Sequence, residues 1–348
     1  MVPSKRLSLA EFEVIETFNS LKSGLYDRFF DFKGIIKTCL LSIFTLATVA
    51  CDSHNTNQVE QNNMPTSIDI QGHRGCRGLL PENSIKAFTK AMDLGVSTLE
   101  LDVVLSKDHE LIVSHEPWMS HKTCLTPAGE SIPNNIAALK HNIYEMKLDE
   151  VQSYICGSFP HVDYPIQESS SHAKPTLKEV VYAVRACAGE TGRQVPFFNI
   201  EIKSEQIGDD RYHPGPTSYA RSFLKKYFDL NIQDISTVQC FDERLLEALH
   251  KAYPDLKLVY LTDKRGRSLE EHLKQLSFKP FGFSPSYKLV HDSLARECAE
   301  LNLALSVWTV NEVADMQALL DKGVKSIITD YPNRAIDLVK ENGMEVSR

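Results

Sequence analysis

The sequence predicts an α/β protein, a (β/α)8 TIM barrel with an insertion after its third strand. Two observations point there. Short β-branched runs alternate with amphipathic stretches along most of the chain, and the polar residues able to do chemistry stand at the ends of those runs. The length of 348 residues agrees, since a barrel takes about 250 residues before additions. Hydrophobic residues at 42% and charged residues at 24% exclude a disordered or polytopic membrane chain. A net charge of −8 argues against a nucleic-acid partner, because neutralising a phosphate backbone needs a basic surface.

The barrel is expected to start only near residue 67. Thr38–Ala50 (TCLLSIFTLATVA) carries no charge, follows Lys33 and Lys37, and ends in small residues before Cys51. A basic flank, a short apolar run and small residues make an export signal, and this run is well short of the roughly 20 residues that span a bilayer. Residues 33–51 therefore read as a lipoprotein-type signal peptide with Cys51 as the lipidated residue. Residues 1–32 read as an extension ahead of it, consistent with a start assigned too far upstream. Residues 52–66 are polar and read as a flexible tether. The expected location is outside the cytoplasm, membrane-anchored, facing the periplasm or the cell surface.

From residue 67 onward the candidate strands are Ser67–Gln71, Thr98–Val104, Leu111–Ser114, Phe197–Ile202, Ile235–Gln239, Lys257–Leu261, Leu303–Trp308 and Ser326–Thr329. Helical periodicity falls between most of them, at Ile85–Asp93, Leu177–Ala188, Asp242–Ala252 and Glu312–Leu320. Gly95 and Gly323 stand where helices stop. Eight runs suggest a closed barrel; a doubly wound open sheet is the alternative, and residues 281–286 (FGFSPS) are a ninth candidate. Between Val104 and Leu111 lie only LSKDHE. A parallel crossover needs a dozen residues or more, so these two runs are expected to form a hairpin. A turn centred on Lys107–Asp108 would set residue 100 opposite 115 and 102 opposite 113.

Pro117–Lys174 has weak periodicity apart from Ile143–Tyr154, and reads as an insertion over the catalytic face. Six cysteines past Cys51 allow 15 pairings. Cys124 with Cys156 is the pair expected, because the segment has little core of its own and an exported chain can form a disulfide; six free buried cysteines are the alternative.

The chemistry collects at predicted strand ends. Gly72–Gly75 closes the first run, Glu100 and Asp102 lie in the second, His115 and Glu116 follow the third, and Glu201 and Lys203 lie in the fourth. The strand period of two points Glu100 and Asp102 the same way, and likewise Glu201 and Lys203. Carboxylates in an otherwise apolar strand are costly to bury alone, and a bound cation removes that cost. Three carboxylates without a Cys or His cluster make a hard-oxygen site for Ca²⁺ or Mg²⁺ rather than Zn²⁺. Each element alone is commonplace: a lone ExD is more often a surface alternation, and a lone His a packing residue. Four such elements at strand ends of one chain shift the balance.

In order along the chain stand His73-Arg74-Gly75, Pro81-Glu82-Asn83, Glu100-x-Asp102, His115, Glu201-x-Lys203, Trp308-Thr309-Val310-Asn311 and Ile327–Pro332. This ordered set resembles the glycerophosphodiester phosphodiesterase family, over about residues 68–340, and the insertion resembles its periplasmic branch. The resemblance implies a phosphatidylinositol-phospholipase-C-like barrel that hydrolyses glycerophosphodiesters to an alcohol and glycerol 3-phosphate with one divalent cation. It implies Glu100, Asp102 and Glu201 as metal ligands, His73 as proton acceptor and His115 as proton donor. It implies that Arg74 and Lys203 hold the phosphate and that Trp308 packs on the glycerol. It implies no protein partner. Glu116, Ser84, Cys240 and Cys76 depart from the family pattern. An enzyme for another headgroup phosphodiester and a non-catalytic headgroup-binding lipoprotein are the competing functions.

Overall fold

A computed structural model describes residues 65–135 and 139–347. The predicted extension, signal peptide, Cys51 and nearly all of the tether lie outside the described residues. Among those described, no helix is long and apolar enough to cross a membrane.

Among the described residues twelve strands run in chain order: β1 Ser67–Gly72, β2 Thr98–Leu105, β3 Leu111–Val113, β4 Cys124–Leu125, β5 Ile155–Cys156, β6 Phe197–Ile202, β7 Ser236–Cys240, β8 Leu258–Thr262, β9 Gly282–Pro285, β10 Ala304–Leu305, β11 Ser326–Thr329 and β12 Glu345–Val346. Eight pair in the parallel order β10-β9-β8-β7-β6-β2-β1-β11. The residues after β10 close the ring. Val307 bridges Ile327 in parallel, with Val307 N donating to Ser326 O at 3.1 Å and Ile328 N to Val307 O at 2.8 Å. The result is a barrel rather than the open-sheet alternative.

The strand count corrects the sequence-based expectation in one place. Leu111–Val113 is not a barrel stave; it pairs antiparallel with β2 as the hairpin arm. The eighth stave is Gly282–Pro285, inside the ninth candidate. This strand is only four residues and contains Gly and Pro, so its local signal is weak. Gly282 is needed for closeness: a Cβ there would meet Ala304 O at 2.9 Å. The hairpin register also differs by one residue. Val103 faces Val113 and Ser114 N donates to Asp102 O, because the turn carries an extra residue, His109, at φ 62°. Of the expected helix at 143–154, a 3-10 turn (Ile143–Glu145) and a short helix (Leu148–Gln152) form.

Local rules explain the outer helices. The helix Ile85–Leu94 starts where Ser84 Oγ accepts from Ala87 N, and stops at Gly95 with φ 98°. The helix Leu177–Thr191 starts with a reciprocal cap between Thr176 and Glu179. Their apolar faces meet the outward side of the barrel. Leu99, Leu101 and Val103 of β2 lie in that shared core, each stabilising by about 1.5–3 kcal/mol if fully buried. Alternation then turns Glu100 and Asp102 inward.

Opposite the C-terminal mouth, the N-terminal half of the barrel is polar. A cavity of about 500 Å³ lies there, lined by Asp69, Gln71, Asn199, Thr237, Ser306 and Ser326 among others. Those groups already satisfy one another: Gln71 Nε2 donates to Asp69 and Ser326, and Asn199 Nδ2 to Gln71 and Gln239. This cavity does not include the three carboxylates in its lining.

The insertion has a small core of its own, in which Met119, Ile132, Ile143 and Val151 pack with Val104 and Ile112 of the hairpin. A disulfide joins Cys124 to Cys156 across the β4–β5 pair. Replacing both cysteines by serine is expected to cost about 2–4 kcal/mol, mostly within the insertion. Hydrogen exchange should show protection lost over residues 117–174 while the barrel strands keep theirs.

Candidate active site

Strand pairing assembles the acidic cluster. Asp102 of β2 lies beside Glu201 of β6 in register, and Glu100 lies one inward position earlier on β2. Carboxylate oxygens of Glu100, Asp102 and Glu201 lie within 4.8 Å of one another, and all three residues are buried. At an effective dielectric of about 20, two unit charges 4.8 Å apart repel by roughly 3.5 kcal/mol. The cluster therefore needs positive charge or protons. Burial first, then Asp102 and Glu201, push the Glu100 carboxyl well above its usual range. Asp102 goes the other way: burial raises it, but Arg74, His115, Lys203 and the Asn83 hydrogen bond together hold it low.

Each carboxylate is held from behind. Glu100 accepts from Arg74 N at 2.9 Å and from Gln239 Nε2 at 3.2 Å. Asp102 accepts from Asn83 Nδ2 at 2.9 Å. Glu201 accepts from Lys203 Nζ at 2.5 Å. Asp102 Oδ1 stays buried with no hydrogen-bond partner, because Lys203 Nζ is 3.7 Å away. An orphaned carboxylate oxygen beside two further carboxylates is a donor set that fits a hard divalent cation.

His73 continues β1 into the mouth. Its Nδ1 lies 2.6 Å from Asp330 Oδ1, and its Nε2 lies 3.9 Å from Glu100 Oε2. An ionised Asp330 can only accept, so Nδ1 carries the proton and Nε2 the lone pair. Burial and the Arg77 charge lower the His73 pKa to about 4 against the opposing pull of Asp330. His73 is thus a neutral imidazole at physiological pH.

His115 lies just past β3 and is one-third exposed. Its Nδ1 lies 3.0 Å from Glu116 Oε1. Burial raises Glu116, but the His115 hydrogen bond and charge, with Lys174 and Arg74, bring its pKa to about 2. Both imidazoles therefore rest their Nδ1 on a carboxylate, leaving Nε2 for chemistry.

The cations expected to hold phosphate have partners of their own. Arg74 Nη1 donates to both oxygens of Glu82, at 3.1 and 3.0 Å. Its Nε is 3.2 Å from Asp102 Oδ2 but poorly aligned, and remains a buried donor without a hydrogen bond. The Arg74 backbone is left-handed, at φ 51°, and Gly75 follows at φ 88°. A Cβ on Gly75 would meet the Ala87 carbonyl carbon at 2.7 Å, so this turn requires glycine. Trp308 donates Nε1–H to Ser284 O and sets its ring edge-on to Phe241 at 5.4 Å. It makes no hydrogen bond to the carboxylate cluster.

The fold thus gathers His73, Arg74, Glu100, Asp102, Glu201 and Lys203 into one network, with His115 close enough for its charge to act on Asp102. The sequence reasoning assigned no role to Glu82, Asn83 and Asp330, which hold Arg74, Asp102 and His73. All three lay inside the quoted PEN and ITDYP motifs, so position was visible and contact was not. Gln239 and Lys174 carried no local signal. Lys174 is buried, and burial lowers its pKa against the charges of Glu116, Glu82 and Asp102.

A barrel whose C-terminal mouth pairs a hard-oxygen acidic cluster with two carboxylate-held imidazoles and two cations defines a phosphodiesterase-type hydrolase. The chain belongs to the glycerophosphoryl diester phosphodiesterase family, whose profile matches residues 73–334. A glycerophosphodiester phosphodiesterase of Caldanaerobacter subterraneus is 28% identical over 79% of this chain and 98% of its own length. The Bacillus subtilis enzyme of the same name is 27% identical over 77% and 85%. Among solved structures, a Silicibacter pomeroyi protein matches with TM-score 0.72 at 24% identity, covering 81% of this chain and 96% of that one. An Oleispira antarctica phosphodiesterase, solved with the product sn-glycerol-3-phosphate, matches with TM-score 0.61 at 18% identity, covering 78% and 96%.

Divalent-cation binding is expected to displace a proton from the cluster and to strengthen as pH rises. Glu100, held above its usual range, must lose its proton to act as a ligand. Titration calorimetry in buffers of different ionisation enthalpy measures the release; the same heat in every buffer would refute it.

Proposed function

We propose that this protein hydrolyses glycerophosphodiesters, deacylated phospholipids, to an alcohol and sn-glycerol 3-phosphate, using one divalent cation, Ca²⁺ or Mg²⁺. The observation that carries the proposal is the pairing of a three-carboxylate cluster with two imidazoles, each resting its Nδ1 on its own carboxylate. A headgroup-binding protein without catalysis needs neither the neutral base nor the second histidine.

Glu100, Asp102 and Glu201 would hold the cation. When bound, it neutralises the phosphodiester and polarises a phosphoryl oxygen. Arg74 Nε, buried without an acceptor, and Lys203 Nζ supply charge-assisted hydrogen bonds to the remaining oxygens. Trp308 packs against the glycerol. His73, neutral and with its Nε2 lone pair free, takes the proton of the glycerol 2-hydroxyl. That oxygen bonds to phosphorus as the bond to the headgroup oxygen breaks. His115 gives its Nε2 proton to the departing alcohol, and the Glu116 carboxylate supports the charged imidazole beforehand. Neutral His115 then takes a proton from water, which opens the cyclic phosphate, and His73 returns its proton to the 2-oxygen. Both histidines end as they began.

We also infer that the chain is exported and anchored at Cys51. The disulfide in the insertion supports an oxidising compartment.

Glycerol 3-phosphate release should stop with chelator and return with Ca²⁺ or Mg²⁺. His73→Ala should lose at least about 100-fold in kcat while keeping its unfolding temperature and metal affinity. Glu100→Ala should lose both turnover and metal binding. Full activity in either variant refutes that residue's role. Quenched reactions should contain a cyclic glycerophosphate; its absence would favour direct attack by water. Cys51→Ala should release the protein from membranes, and a variant still membrane-bound would sink the anchor.

A further inference from the structure

Asp330 follows β11 and is fully buried. Its two oxygens accept five hydrogen bonds. Oδ1 takes His73 Nδ1 at 2.6 Å and Arg77 Nε at 2.8 Å. Oδ2 takes Arg77 Nη2 at 3.1 Å, Asn311 Nδ2 at 2.7 Å and the Tyr164 hydroxyl at 3.2 Å. A carboxylate offers about four lone-pair sites, so this one is saturated and cannot turn without breaking several bonds. Four of the donors come from loops of the barrel. The fifth, Tyr164, comes from the insertion.

Tyr164 belongs to a short stretch that grips the turn leaving His73. The Arg77 guanidinium lies over the Tyr164 ring, 4.9 Å from its centre. Gln167 Nε2 donates to Arg77 O at 2.6 Å, and Glu168 N donates to Leu79 O at 2.9 Å. The His161 ring packs on Tyr164 from the insertion side, with centroids 4.9 Å apart. The insertion therefore reaches the carboxylate that orients His73, and also the arginine that shares that carboxylate. Burial first, and then Asp330, keep the phenol protonated, so it donates rather than accepts.

We propose that Tyr164 is a positioning residue for His73: acting through Asp330, it makes the insertion part of the machinery that aims the general base, beyond any role as a wall of the substrate cleft. The proposal rests on the assignment of His73 as base. It assigns Tyr164 no contact with substrate or metal. The hydroxyl fixes the Asp330 carboxylate plane; that plane fixes the His73 Nδ1–H direction; and a rigid ring then fixes where Nε2 points.

The test is Tyr164→Phe in the full chain, which removes one oxygen and keeps the ring under Arg77. Turnover of a glycerophosphodiester should fall roughly tenfold in kcat, the order expected from losing a hydrogen bond to a charged group, with KM and divalent-metal affinity unchanged. In ¹⁵N-histidine-labelled protein, the downfield His73 Nδ1–H resonance, assigned by its loss in His73→Gln, should move and exchange faster with water. In an Asp330→Asn background, Tyr164→Phe should cost little further kcat. An unmoved resonance with unchanged kcat overturns the proposal. So does a loss carried by KM alone, which would place Tyr164 on the substrate, or a full second loss on top of Asp330→Asn. The resonance needs no Asp330 variant, so the test survives if that variant does not fold. It needs no substrate either: a wild-type protein inactive on glycerophosphodiesters refutes the proposed function, while the resonance still judges the positioning.

Discussion

Mutual repulsion among three buried carboxylates is the constraint on which the rest of the mouth depends. Glu100, Asp102 and Glu201 are forced together by parallel pairing of β2 with β6 and by the alternation that packs Leu99, Leu101 and Val103 outward. No rearrangement of one side chain relieves this, because the outward residues anchor the strand. The protein answers with cations and donors placed around the cluster: Arg74, Lys203, Asn83 and Gln239. Even so, Glu100 is left favouring a proton and Asp102 Oδ1 is left without a donor. A hard cation would relieve both residual faults, and it would also suit an anionic phosphodiester.

A second theme is the carboxylate behind each imidazole. His73 and His115 each lean Nδ1 on an acid, yet their surroundings differ. His73 is buried among Arg74 and Arg77 and is held neutral. His115 is more exposed and faces the low-pKa Glu116. In the proposed mechanism one residue type would serve opposite ends of a proton transfer, separated by burial and neighbouring charge rather than by chemistry. Glu116, one of the sequence features expected to depart from the family pattern, reaches His115 at 3.0 Å.

The insertion links stability to the site. Its own core is small, and a disulfide and the hairpin extension of β2 support it. From that base it sends Tyr164 and Gln167 onto the turn after His73. Asn142 Nδ2 also donates to Arg211 O, tying the insertion to the loop that follows β6. It therefore touches the loops that follow two different staves, the first and the third.

By itself the sequence determined the repeating βα pattern, the hairpin between Val104 and Leu111, the inward pairing of Glu100 with Asp102, and the chemical character of the acidic cluster. These are short-range properties, set by side-chain period and by how many residues a crossover requires. The cysteine pair in the insertion was legible for a similar reason, since a segment with little apolar content needs another constraint. Tertiary structure alone decided the rest. It made Gly282–Pro285 a stave and Leu111–Val113 an accessory arm, because a four-residue strand with Gly and Pro is specified by its neighbours on either side and not by its own composition. It shifted the hairpin by one residue through the left-handed His109. It also joined Asp330 to His73 across 257 positions and Tyr164 to Asp330 across 166. Hydrogen bonds between loops of distant staves follow from closing the barrel, and no local pattern in the chain encodes them.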